Sequence, residues 1–201
     1  MSEKPYSPAC ERNRDPILAV LQVAFAHAHQ VLEIGSGTGQ HAVYFARHLP
    51  HLTWQTSDMP EHHAGISAWI ADEPSPNLKA PLALDVLQTD WPVTPVDGVY
   101  TANTLHIMSW DAVLAFFRGV GLVLRPGGAL AVYGPFNYRG RYTSDSNAAF
   151  DADLRSRGVG SGLRDFEAIQ EQAAQVGLTL QSDTAMPANN RTLVWRKGGE
   201  A

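Results

Sequence analysis

The sequence predicts an α/β protein built on a doubly wound, mostly parallel sheet that ends in an antiparallel hairpin. Three observations carry this. An apolar run, Val31 to Ile34, passes directly into Gly35, Gly37 and Gly39 and then into an amphipathic segment, which reads as strand, glycine turn and helix. Short apolar runs alternate with segments of helical spacing five times, and such alternation implies parallel strands joined by helical crossovers. At the end of the chain, Leu178 to Thr184 and Thr192 to Arg196 alternate in character across Met186-Pro187-Ala188-Asn189-Asn190, a link short enough to require antiparallel pairing.

Taken in order, residues 1–14 are polar and broken by Pro5 and Pro8, so alone they read as a disordered tail. Asp15 can cap a helix with Pro16 at its first position, and Ile17, Leu18, Leu21, Ala24, Phe25 and Ala28 fall on one face. After the glycine turn, Ala42, Val43, Phe45, Ala46 and Leu49 make a second helix that ends before Pro50. Leu52 to Ser57 is a second strand stopping at Asp58, and Pro60 to Ala71 is helical, with Ile66, Trp69 and Ile70 inward. A third strand, Pro81 to Leu84, ends at Asp85. Asp97 to Ala102 is the fourth, leading into Asn103-Thr104-Leu105-His106. Ser109 caps a helix carrying Val113, Phe116, Phe117, Val120 and Leu124, which Arg125-Pro126-Gly127-Gly128 stops. Ala129 to Tyr133, apolar throughout, fits the middle of a sheet covered on both faces. Ser144 to Arg157 and Phe166 to Val176 are helical.

At 201 residues, 44% hydrophobic and 17% charged, the chain is most simply one globular domain. Fifteen basic against twenty acidic residues, net -5 with no basic cluster, argue against nucleic acid as partner. The single cysteine, Cys10, can form no internal disulfide, and the start Met-Ser-Glu-Lys-Pro-Tyr lacks the apolar core of a secretory signal. No apolar run approaches the ~20 residues that span a bilayer. A cytoplasmic protein with no membrane partner is expected. Among the eight histidines, His27 and His29 fall on different helix faces and His62-His63 are adjacent, so no zinc spacing is present and no metal is expected.

Glycine at alternate positions lets a ligand lie against bare main chain. The position of a third dinucleotide-fingerprint glycine is held by Gln40, which disfavours a nicotinamide or flavin site and a nucleotide-dependent oxidoreductase. Glu33 adds negative charge where a pyrophosphate would sit, so a cationic or zwitterionic ligand fits better. Asp58 and Asp85 stand where strands end, and Asp58 lies ~20 residues beyond the glycines, where an acid typically takes a ribose hydroxyl pair. Together these residues point to a nucleoside ligand.

The combination of Glu-Ile-Gly-Ser-Gly-Thr-Gly, Asp58, Asp85 and Leu-Arg-Pro-Gly-Gly before the fifth strand resembles a class I S-adenosylmethionine-dependent methyltransferase. That family's fold has seven strands, the last antiparallel. By the resemblance, Gly35, Ser36, Gly37, Thr38 and Gly39 would lie against the methionine part of S-adenosylmethionine. Asp58, followed by Met59, would hold the ribose, and Asp85 with Val86 would bracket the adenine. A closer resemblance covers nearly the whole chain: Ser-Pro-Ala-Cys-Glu-Arg-Asn at 7–13, Gly-Thr-Gly-Gln-His at 37–41, Tyr-Gly-Pro-Phe at 133–136, Ser-Asn-Ala-Ala-Phe-Asp at 146–151 and Met-Pro-Ala-Asn-Asn at 186–190 are similar to a small methyltransferase-like family of unknown function. Met108 and Arg191 depart from that pattern, where proline and an apolar residue are expected. Residues 1–14 then become an N-terminal lid and 136–165 a substrate-side insertion within a single domain, 1–201. Arg12 would pair with the methionine carboxylate, for which its forked donors are suited, or stay exposed in a flexible tail.

The sulfonium methyl needs an in-line nucleophile and, where necessary, a base. His106 and Asn103, just after the fourth strand, are positioned to reach it; His106 reads equally as a capping or core histidine. Tyr133 is a second proton-handling candidate, or ordinary strand packing. On the helix from Ser144, Asn147 and Asp151 share one face beside an apolar row of Phe150 and Leu154, giving a substrate wall or a solvated face. The run Phe136 to Tyr142 reads as a mobile loop over the site. Family knowledge sharpens the acceptor: Ala102-Asn103-Thr104-Leu105 lacks the Asn/Asp-Pro-Pro-Tyr of amino-methylating DNA enzymes, and no cysteine stands near it as cytosine-C5 enzymes require. A small-molecule acceptor is expected. The alternative is a non-catalytic protein that binds S-adenosylmethionine or S-adenosylhomocysteine.

Overall fold

The computed structural model describes residues 4–158 and 160–199; expectations for residues 1–3, 159 and 200–201 lie outside the described residues. The chain runs α1 (Pro8–Ala24), β1 (Gln30–Ile34), α2 (Gln40–His48), β2 (Thr53–Asp58), α3 (His63–Asp72), β3 (Leu78–Ala83), β4 (Val96–Ala102), α4 (Trp110–Val123) and β5 (Leu124–Gly134). It continues through β6 (Phe136–Asn137), α5 (Asp145–Ser156), β7 (Arg164–Asp165), α6 (Phe166–Gln175), β8 (Leu178–Met186) and β9 (Asn190–Lys197).

Seven strands form one sheet in the order β3-β2-β1-β4-β5-β9-β8, and β6 pairs with β7 apart from it. β3 through β5 are parallel, while β9 runs antiparallel to both β5 and β8. The expected doubly wound sheet with its terminal hairpin is therefore the observed one.

Strand alternation divides the core in two. Val31, Trp54, Tyr100, Ala131 and Val194 pack under α1 and α2, whereas Leu32, Val99, Leu130, Leu193 and Trp195 pack under α4 and α6. Side chains of adjacent residues point to opposite faces, so a parallel strand buried on both sides is apolar at every position. Trp54 and Trp195, both fully buried, anchor the two halves, and each contributes about 3 kcal/mol by area. Phe25 lies so close to Gly98 that a Cβ there would sit 2.7 Å from its ring, which fixes how deeply α1's end seats on the sheet.

Most strand boundaries shift by one or two residues from the sequence reading, and two strand starts shift further. β3 starts at Leu78 rather than Pro81, because the register shifts between Gln55 and Ser57 and an edge strand tolerates a proline at the irregularity. β5 begins at Leu124, since that residue already pairs with Val96 before a shift at Gly98.

The larger correction is at the amino end. Pro8, not Pro16, opens the first helix, and Pro16 lies inside it. The segment read as a disordered tail is tied down: Gln40 Oε1 accepts from the Ser7 amide (2.5 Å), and Gln40 Nε2 donates to Glu11 (3.1 Å). Trp69 Nε1 donates to the Pro5 carbonyl (2.6 Å), and Lys4 lies over the Trp69 ring and pairs with Asp72.

Candidate functional site

A cavity of about 440 Å³ lies at the carboxyl edge of the sheet, between the ends of β1, β2 and β4 and the first turn of α1. Crevices at this edge are where open α/β sheets bind ligands. The glycine turn forms its floor. Gly35 has φ +72°, and a Cβ there would come within 2.5 Å of the Thr104 methyl, so only glycine lets β1 and the β4 loop close together. Gly37 has φ +57° and a Cβ there would meet nothing, so this residue presents bare backbone to open space.

Two acids stand on the same floor. Glu33 is buried, and its Oε2 accepts from Ser36 Oγ and Trp54 Nε1, both at 3.0 Å. Burial, with a smaller contribution from the Asp58 charge, raises its carboxyl to about 7. Asp58 accepts from the Gly37 amide on Oδ2 and the Met59 amide on Oδ1, each at 2.7 Å, which ties the β2 end to the glycine turn. Met59, Thr38 and Ser36 line the cavity with them. Asn103 completes this side in a left-handed conformation, φ +57°, held by its amide bonding to the Tyr133 carbonyl (2.9 Å).

Ser7, Cys10, His41, Thr104, Ile107 and Met108 also line the cavity; the sequence reading put Ser7 and Cys10 in the 1–14 lid and singled out none of the six as a site residue. Once Pro8 is read as the first helical residue, Ser7, Cys10 and Asn13 fall three apart on one face, which is the signal that was available. His41 Nε2 meets Asn13 Oδ1 at 2.7 Å, and its Nδ1 lies 3.4 Å from the Tyr100 hydroxyl. An amide oxygen only accepts, so Nε2 carries the proton and Nδ1 accepts from Tyr100. Burial, then the nearby Arg14 charge, holds this imidazole at about 4 and therefore neutral.

Several sequence candidates stand elsewhere. Arg12 is exposed and does not line the cavity, because α1 turns Cys10 and Asn13 inward instead. Asp85 accepts from the Leu87 amide (2.9 Å) in a turn, Val86 is buried in the core under α4, and neither lines the cavity. Tyr133 lies on the α1 face of the sheet, where burial raises its hydroxyl above the ordinary value. His106 is buried, its ring edge-on to Phe150 at 5.4 Å; burial and the Arg164 charge bring it to about 4. Neither Tyr133 nor His106 lines the cavity.

The α5 residues are neither a solvated face nor a free ligand surface. Asp151 is fully buried and accepts from Tyr142 Oη (2.7 Å), Arg155 Nε (2.7 Å) and the Leu163 amide (2.6 Å). Asn147 donates to Thr143 Oγ1 (2.8 Å) and the Asn189 carbonyl (3.1 Å). Both residues tie α5 to neighbouring segments, and Phe150, partly exposed, is the member of this helix that covers His106. Arg191 pairs with Asp183 (2.6 Å). Among the described residues no group of side chains could hold a metal ion.

The profile of a family described as protein of unknown function, DUF938, matches residues 4–197. The chain belongs to this family. Solved structures share the fold of this DUF938 protein at low identity. An O-methyltransferase family protein from Burkholderia thailandensis superposes with TM-score 0.82 at 18% identity, over 93% of this chain and 57% of that one. Human N-acetylserotonin methyltransferase, solved in complex with S-adenosylmethionine, gives 0.81 at 15% identity, over 94% and 53%. An O-methyltransferase family 2 protein from Planctomyces limnophilus, in complex with apigenin, gives 0.80 at 18%, over 92% and 56%. The DUF938 chain thus spans little more than half the length of the structures it matches. No described helix is long and apolar enough to cross a membrane.

Proposed function

We propose that this DUF938 protein binds S-adenosylmethionine and catalyses transfer of its methyl group to a small-molecule acceptor, without metal and without a nucleic-acid partner. The observation that carries the reading is the pairing of Gly37, open to the cavity, with Asp58 at the end of β2 and Glu33 beneath the turn. A backbone free of side chains accommodates the methionine part, a carboxylate matches a ribose diol, and a second acid complements a sulfonium. The residues present fit the group, and no Lys or Arg lines the cavity to repel its positive charge. When bound, S-adenosylmethionine supplies an already activated methyl group. The protein's share is to orient, to exclude water and to position the acceptor. Glu33, Gly35 to Gly39, Asp58, Met59 and Asn103 are proposed to hold the cofactor. Asp85 and Val86, just beyond Asp58 at the same sheet edge, are proposed to meet its base.

Calorimetry tests this. S-adenosylhomocysteine should bind and NAD should not, and Asp58→Ala should weaken binding roughly tenfold to a hundredfold by loss of charge-assisted hydrogen bonds. NAD binding more tightly than S-adenosylhomocysteine would sink the assignment. The position of His106 and Tyr133 away from the cavity favours a second reading, a binding protein without catalysis. Methyl-labelled cofactor incubated with a fractionated metabolite extract separates the two, since only an enzyme moves the label.

A further inference from the structure

The walls of the cavity differ at its two ends. Among the described residues the lining acids are Glu33 and Asp58 on the floor, whereas the rest of the wall includes Ser7 and Cys10 of the amino-terminal segment and Ile107 and Met108 of the β4–α4 loop. None of those four is charged. No Lys or Arg lines the cavity among the described residues, and the nearby guanidinium of Arg164 is turned to the carbonyls of Leu105 (3.0 Å), Met108 and Gly160 (3.0 Å). An anionic acceptor, such as a carboxylate or phosphate, would therefore enter a negative cavity with nothing to pair it.

Among the described lining residues the carboxyl groups that could take a proton are already engaged: Asp58 accepts from the Gly37 and Met59 amides on its two oxygens, and Glu33 accepts from Ser36 and Trp54 beneath the turn. His41 is the one imidazole on the wall, and both of its nitrogens are engaged, by Asn13 and Tyr100. His106 is covered by Phe150, and Tyr133 faces α1. An alcohol or phenol must shed a proton to become a good nucleophile, and a positioned base is typically worth 10²- to 10⁴-fold, about the handicap such acceptors would meet here. A protonated amine has no lone pair to offer.

Resting on the methyl-transfer reading, we infer that the acceptor is an uncharged lone-pair nucleophile on a small apolar body, an aromatic ring nitrogen or a thioether sulfur, that becomes cationic on methylation. The lone pair forms the new bond to the methyl carbon, the old carbon–sulfur bond breaks, and its electron pair stays on the cofactor's sulfur. No proton is released. Positive charge moves from one atom to another inside the same cavity, so the Asp58 carboxylate faces a cation before and after transfer. Ile107 and Met108 supply the apolar surface for its body.

The test uses the full chain with methyl-labelled S-adenosylmethionine and five separate acceptors: quinoline, dimethyl sulfide, phenol, butanol and benzoate. Label should enter quinoline or dimethyl sulfide roughly tenfold or more faster than the others, with no proton released in a weakly buffered indicator assay. The two favoured arms distinguish nitrogen from sulfur. Label confined to phenol, butanol or benzoate, with one proton released per turnover, overturns the inference. A binding measurement stands beside it and needs no turnover. With S-adenosylhomocysteine present, N-methylquinolinium should raise the thermal midpoint and 2-naphthoate, similar in shape and opposite in charge, should not. Ile107→Lys should weaken the first and admit the second. Equal or stronger binding of 2-naphthoate to the unaltered protein overturns the inference, and so does failure of both ligands to bind. If S-adenosylhomocysteine itself does not bind, the methyl-transfer reading has failed; if it binds and the charge preference is reversed, only the acceptor class has.

Discussion

Burial raises Glu33 from an ordinary 4.5 to about 7 and lowers His41 and His106 from 6.5 to about 4. These shifts act on stability with opposite signs. Between about pH 4.5 and 7 folded Glu33 holds a proton that the unfolded chain has released, so raising the pH there costs stability, on the order of 3 kcal/mol in all. Between about 4 and 6.5 each histidine is protonated only when unfolded, so stability is lost as pH falls, by a similar order per residue. Two histidines outweigh one acid. The thermal midpoint should therefore rise from pH 4.5 to 6.5 and fall slightly toward 7, and in Glu33→Gln that final fall should vanish. Midpoints that stay level across pH 4.5 to 6.5 would contradict the burial of these groups. Local sequence displayed Glu33 as an acid before glycines, yet its environment depends on Trp54 and Ser36 meeting a single oxygen.

α1 and α5 behave as elements held from outside. Gln40 grips Ser7 and Glu11, and His41 grips Asn13, so the start of α2 clamps the start of α1. Gln40→Ala removes hydrogen bonds each worth about 1 kcal/mol. Amide exchange in residues 4–13 should speed up without change in the β1, β4 and β5 amides, followed by hydrogen-exchange mass spectrometry. Unaltered protection of 4–13 would show that Trp69 and Lys4 suffice. The same contacts explain what the sequence hid. Pro8 and Pro16 both suit the first position of a helix, and only partners on α2 decide between them. Strand and helix alternation is local and was legible, as was the glycine turn with acids at strand ends. The α5 face was not: spacing put Asn147 and Asp151 on one side, but Tyr142, Leu163 and Asn189, which cover them, come from other segments.

At the scale of the whole molecule, two half-cores cover the two faces of one sheet and the candidate site lies at the sheet's carboxyl edge, which the two ends of the chain treat differently. The carboxyl-terminal hairpin completes the sheet beyond β5, while the amino-terminal helix crosses to the cavity and supplies part of its wall. Topology was readable because each crossover is right-handed by rule; the wall was readable only through the family resemblance, because the segment that makes it looks unstructured in isolation. One consequence concerns Cys10. It is the chain's only cysteine, half-buried on the cavity wall, and burial keeps its thiol protonated. The protein thus carries a native, single-site chemical reporter: the rate at which a thiol reagent such as dithionitrobenzoate labels it reads how accessible this part of the cavity wall is. Saturating S-adenosylhomocysteine should slow labelling about tenfold or more, as the ratio of free to bound protein falls. A rate indifferent to ligand would mean that the bound molecule does not cover Cys10.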